Sequence, residues 1–217
     1  VSGEYDGKGI GVLARGLRCS SDCTKIASSR RFALAAVLFL AFLLRLTAAL
    51  LIPLDYRFEA DAVLYVSMAR RLVGSGVFEG EPGVPFALIP PGYPLFLAAV
   101  LAVSKGSLIA VRIVQAAVCT VAVWLTYRFG CLVGNKSAGL LASAAFAIYA
   151  VWVVWPVLFL TETLYVVLLL VFLWAFVASL QSQSTGTTLL AGGTFGLALL
   201  TREVLFAFPL LVPLAVW

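Results

Sequence analysis

The residues best placed to do chemistry are the few charged groups inside or beside long apolar runs, where each is expensive to keep. Asp61 stands four residues before Tyr65, a spacing that puts both side chains on one face of a helix. Glu59 is two residues from Asp61 and would point away on that helix, so the two acids make a poor carboxylate pair. The plain reading of Asp61 is a solvated loop acid. Arg45 falls within an apolar run. Its long stem can snorkel toward the interface, or its guanidinium can face a cavity, ready for a phosphate. Arg112 lies near the start of another run and reads as an anchor. Glu162 follows Thr161 at the start of a further run, where a helix dipole favours a carboxylate and Thr161 could cap the helix. Arg202 and Glu203 are adjacent. They can neutralise each other, or they can line a polar cavity.

The sequence has no histidine. A Ser-His-Asp triad, a Cys-His pair and a histidine metal site are therefore excluded in this segment. Cys19, Cys23, Cys119 and Cys131 match no zinc-ribbon spacing and read as small apolar residues or free thiols. Gly192-x-x-x-Gly196 suits close helix packing. Tyr149, Trp152 and Trp155 read as an aromatic belt.

The elements that must position these groups are set by lipid. Of the 217 residues, 63% are hydrophobic and only 12% charged, against about a quarter charged in a soluble domain. Mean hydropathy is +1.08. The expected fold is an all-α polytopic membrane protein with about six membrane segments and an outer loop carrying interfacial helices. Residues 1–29 are Gly/Ser-rich and basic, and read as a disordered cytoplasmic tail. Arg30 and Arg31 hold the start of the first span, Phe32 to about Leu54, inside. The net charge of +5 reflects that basic cluster and does not suggest nucleic acid. Residues 59–73 read as an amphipathic interfacial helix, followed by a Gly/Pro loop. The short run Leu95–Val103 reads as re-entrant or interfacial. Spans are expected at about 108–129, 137–155 and 161–180, with a tight turn at Pro156. Further apolar runs cover 189–200 and 205–217. The chain begins without Met and stops inside an apolar run, which is expected of a fragment.

Taken in order, certain segments resemble a known superfamily. They are Leu44-Arg45-Leu46, the stretch Glu59 to Leu72, Pro90-Pro91-Gly92-Tyr93-Pro94, Val111-Arg112-Ile113, Thr161-Glu162-Thr163-Leu164 and Gly196 to Arg202. Over roughly residues 32–217 the chain resembles the N-terminal part of a GT-C glycosyltransferase. It is similar to the group related to dolichyl-phosphate-mannose–protein mannosyltransferases and the bacterial aminoarabinose transferase. That family carries Asp-(Asp/Glu)-x-x-Tyr in its first outer loop. Asp61 matches its first position and Tyr65 its last, while Ala62 stands where a second acid belongs. Glu59 offers a carboxylate at a different position.

The resemblance implies transfer of a sugar from a polyprenyl-phosphate carrier to an acceptor hydroxyl on the non-cytoplasmic side, by inverting displacement. It makes Asp61 the catalytic base. Glu59, Tyr65, Arg45, Arg112, Glu162 and Arg202 become substrate-binding residues, with Arg202 the first candidate for the leaving phosphate. It implies no cofactor and no obligatory metal. The partners implied are the lipid-linked sugar, a protein, lipid or glycan acceptor, and membrane lipids. Residues 30–217 would then be the N-terminal part of a GT-C-like transmembrane domain, in a bacterial or archaeal plasma membrane rather than the endoplasmic reticulum. The competing readings are a transporter, which should show inverted repeats and a midplane acid, and a non-catalytic scaffold.

Overall fold

A computed structural model describes residues 21–54, 60–81, 84–85 and 89–206 of the chain. Glu59 and the last apolar stretch, 207–217, lie outside them. The chain divides into two units, Val1–Ala36 and Val37–Trp217. In the first unit the described part is the opening of helix α1, which runs Ser21–Leu51. It therefore starts inside the stretch expected to be an unstructured tail.

The second unit is built from helices because an apolar chain in lipid must satisfy its own backbone. After α1 come α2 (Ala60–Ser75), α3 (Gly92–Val103), α4 (Leu108–Val133), α5 (Lys136–Ile148), α6 (Ala150–Val154), α7 (Glu162–Ser182) and α8 (Thr185–Thr201). Short 3-10 turns cover Trp155–Val157 and Glu203–Leu205. The expected Gly/Pro loop also holds a small antiparallel ribbon, β1 (Glu79–Glu81) with β2 (Val84–Pro85). Arg71 ties it to α2 by donating to the carbonyls of Glu79 and Gly80.

Among the described residues three helical stretches are long and apolar enough to cross a bilayer: Arg30–Leu51, Leu108–Val133 and Glu162–Ser182. A fourth crossing is available to the pair Lys136–Ile148 and Ala150–Val157, bent by 63°. The expected count of six is not confirmed among the described residues: α3 has 12 residues and α8 has 17, against the ~20 a span needs, and 207–217 lies outside them. Hydropathy runs mark apolar stretches without fixing helix length.

The bend between α5 and α6 explains Arg45. Tyr149 adopts an extended conformation (φ −67°, ψ 113°), which leaves the last carbonyls of α5 without intrahelical partners. Arg45 is fully buried and donates to Ala147 O at 3.1 Å and Phe146 O at 3.3 Å, as well as to Ala41 O at 2.9 Å. A cation at a helix C-terminus is favoured by the dipole. Arg45 neither snorkels nor faces a cavity: it closes the break. Arg112 does the same work at the end of α1. It is buried and donates to Ile52 O at 2.6 Å, Pro53 O at 3.1 Å and Val157 O at 3.2 Å. It thereby joins the end of α1 to the turn that leads into α7.

Close helix packing falls at different glycines from those the sequence motif suggests. Among the described residues a Cβ on Gly192 or Gly196 would meet nothing within 4 Å, whereas one on Gly139 would lie 2.7 Å from the Tyr127 carbonyl oxygen of α4. A Cβ on Gly130 would lie 2.7 Å from Gly139 Cα. Gly139→Ala should therefore force α4 and α5 apart and cost about 1–3 kcal/mol. Gly196→Ala should be neutral or stabilising, since alanine is the better helix former. Thermal unfolding of the two variants in detergent checks this contrast.

Candidate functional site

The residues singled out by type meet at one end of the helices. Asp61 and Tyr65 from α2, Thr161 and Glu162 at the start of α7, and Thr201, Arg202 and Glu203 at the end of α8 and just beyond it line one cavity of about 290 Å³, with Ile89, Pro90 and Leu160. The spacing argument for Asp61 and Tyr65 holds because α2 is helical across both. Asp61 is exposed, so its carboxylate is free to meet a ligand.

Tyr65 is fixed by the Pro-Pro-Gly-Tyr-Pro segment. Its ring packs edge-on against Tyr93, with centroids 5.3 Å apart. Tyr93 is fully buried, and its hydroxyl accepts from Gln115 Nε2 at 2.9 Å. With Ala62, Leu97, Val111 and Phe159, Tyr93 belongs to the core beneath the cavity. Burial first, then the charges of Asp61 and Glu162, raise the Tyr65 phenol above its ordinary value, against a smaller opposing pull from Arg202. Tyr65 therefore stays a neutral hydrogen-bond donor at any physiological pH.

Gly92 allows α3 to start against the end of α8. A Cβ there would lie 2.7 Å from Leu200 O and 2.8 Å from Thr201 Oγ1. This contact sets where α8 stops, and Arg202 follows directly in an extended conformation (φ −158°, ψ 129°).

Arg202 Nη1 donates to Glu162 Oε1 in an ion pair between the ends of α8 and α7. That hydrogen bond is the main reason the guanidinium is raised above its ordinary value. The Arg202 side chain remains 40% exposed, and its other N–H groups have no acceptor among the described residues. Thr161 does not cap α7. Its backbone is already helical, and its hydroxyl donates to Glu162 Oε2 at 3.3 Å instead. The sharp turn before it passes through Phe159 at φ 54°, an unusual conformation for a bulky residue. That turn is held by Arg112, whose guanidinium carbon sits 5.5 Å from the Phe159 ring centroid.

A second groove of about 310 Å³ shares Glu162 and Arg202 with the cavity. Trp152, Trp155, Tyr165, Val166, Leu169 and Val204 complete its lining. Trp152 and Trp155 pack edge-to-face at 4.8 Å as one wall of it. The Glu162–Arg202 pair thus stands between a polar chamber and an apolar channel.

Of the expected site residues, Asp61, Tyr65, Glu162 and Arg202 come together. Arg45 and Arg112 line neither space and bond to helix-end carbonyls. Glu59 lies outside the described residues. Glu203, read with Arg202 as a pair that neutralises itself or lines a polar cavity, does line it, and Gly92 was legible only as part of the Pro90–Pro94 segment. Among the described residues, no three acidic or cysteine side chains are grouped to hold a metal ion.

No curated protein matches the sequence. The model of the dolichyl-phosphate-mannose-protein mannosyltransferase family matches residues 89–217. That stretch carries the Gly92 segment, Arg112, Glu162 and Arg202, while Asp61 and Tyr65 precede it. The match spans more than half of a chain whose long apolar helices suit a bilayer, and so this integral membrane protein belongs to the dolichyl-phosphate-mannose–protein mannosyltransferase family of GT-C-like membrane glycosyltransferases.

Proposed function

We propose that the protein transfers a sugar from a polyprenyl-phosphate carrier to an acceptor hydroxyl at the Asp61 cavity, on the non-cytoplasmic side. The observation that carries this reading is the shared boundary. One ion pair, Glu162–Arg202, lines both the polar cavity and the apolar groove. A polyprenyl-phosphate sugar has the same division, with an apolar tail, a phosphate and a polar sugar in sequence.

In this reading the tail lies along Trp155, Val166 and Leu169, the phosphate meets Arg202, and the sugar enters the chamber beside Asp61 and Tyr65. An acceptor hydroxyl is a weak nucleophile until a base takes its proton. Asp61 takes it as the oxygen attacks the anomeric carbon. The bond from that carbon to the phosphate oxygen breaks, and the lipid phosphate leaves with the electron pair. Arg202 neutralises the charge that develops there. One displacement inverts the anomeric centre. Glu162, held by Thr161, positions the guanidinium.

The test is transfer of radiolabelled sugar by the full-length protein in membranes, offered polyprenyl-phosphate sugars and, in parallel, nucleotide sugars. Transfer from the lipid-linked donors alone is the expected result. Transfer from nucleotide sugars alone would overturn the donor assignment.

A further inference from the structure

Toward the other end of α4 and α7 lies a charged group that the reaction does not use. Arg128 lies close to two indoles. Its guanidinium carbon is 5.3 Å from the centroid of Trp124 on α4 and 5.5 Å from that of Trp174 on α7. These rings, with Leu125 and Val171, line an apolar groove of about 200 Å³. Trp174 is twelve residues along α7 from Glu162, which places it about 18 Å from the Asp61 cavity.

The stacking matters for what Arg128 can still bind. Both rings lie within cation–π range of the guanidinium, and this attraction uses none of its N–H groups. Arg128 is exposed, and among the described residues its side chain has neither a carboxylate partner nor a hydrogen-bond acceptor. A planar fork with free donors suits a phosphate bidentately. The groove beside it is apolar and opens among membrane-spanning helices.

We infer that Arg128, beside Trp124 and Trp174, binds the phosphate of an anionic phospholipid, with the upper part of an acyl chain in the groove between Leu125 and Val171. The site is separate from the donor groove beside Arg202 and does not depend on the proposed reaction. It would act as a lipid clamp across α4 and α7, the two long helices that carry Arg112 and Glu162.

The test uses the full-length protein in phosphatidylcholine vesicles doped with phosphatidylglycerol or phosphatidylcholine bearing brominated chains, read by tryptophan quenching. In the wild type, brominated phosphatidylglycerol should associate about fivefold more strongly than brominated phosphatidylcholine, the factor expected of one basic residue at an anionic headgroup. Arg128→Gln should bring the ratio close to one. Equal quenching by the two lipids in the wild type overturns the site, as does an unchanged ratio in a folded Arg128→Gln. Should that variant fail to fold, Arg128→Met decides. It keeps an apolar stem of similar length but loses the charge, so a ratio close to one supports the site and an undiminished one overturns it.

Discussion

Asp61→Asn should lower sugar transfer by about 10²–10⁴-fold, the range a positioned general base contributes. The change keeps the side chain's shape and removes only its ability to take a proton. Asp61 is exposed at the rim of the cavity, so no packing is lost and the unfolding temperature should stay where it is. The loss should fall on kcat, with donor KM little changed, because the phosphate and tail contacts lie elsewhere. The assay is the radiolabelled transfer described above, run on membranes with matched protein levels. The cavity has two further acids, Glu162, which is paired with Arg202, and Glu203. If Asp61→Asn retains wild-type transfer while Glu203→Gln abolishes it, the base has been assigned to the wrong carboxylate. If neither change matters, the cavity is not where the hydroxyl is activated, and a transporter or scaffold becomes the better reading of this chain. Tyr65→Phe separates a smaller contribution. Its ring packing on Tyr93 survives the change while the neutral donor is lost, so a several-fold effect is expected, in line with one neutral hydrogen bond of about 0.5–1.5 kcal/mol.

What the sequence made legible follows the range of each interaction. Asp61 and Tyr65 share a helical turn, so their spacing alone put them on one face. The partner of Arg202 was not legible in that way. Its neighbour Glu203 offered a local pairing, but the structure pairs it with Glu162, forty residues back. That choice depends on how α7 and α8 meet, and no local pattern encodes it. The buried arginines fail in the same manner. Arg45 and Arg112 look like ligand-binding cations in an apolar run because a sequence shows the cost of a charge but not the carbonyls freed at a helix break. Once α5 stops at Ile148 and α1 at Leu51, each arginine has its acceptors close by. Glycine spacing misled for a related reason. Gly192 and Gly196 have the packing motif, yet the tight approach is at Gly130 and Gly139, set by the α4–α5 hairpin. The count of six membrane segments is not confirmed among the described residues, where α8 has 17 residues and 207–217 lies outside them.

The second large effect is expected at Arg202. Arg202→Gln should reduce transfer by about 10²–10³-fold, the loss typical of removing one group that stabilises developing charge. The substitution keeps a polar amide at the end of α8 but leaves the departing phosphate without its cation. It also leaves Glu162 alone, and this separates binding from chemistry. An unpaired carboxylate at the junction of cavity and groove would repel a phosphate, so Arg202→Gln should raise donor KM as well as lower kcat. Adding Glu162→Gln removes that repulsion. The double variant should therefore regain much of the donor affinity while kcat stays low, and the two changes should be far from additive, as expected of groups in direct contact. Glu162→Gln alone should have a milder effect, since Arg202 keeps its charge and loses only the group that positions it. A result in which Glu162→Gln is the more damaging change would reverse these roles. The carboxylate would then be the group that meets substrate, and Arg202 would serve to hold it in place.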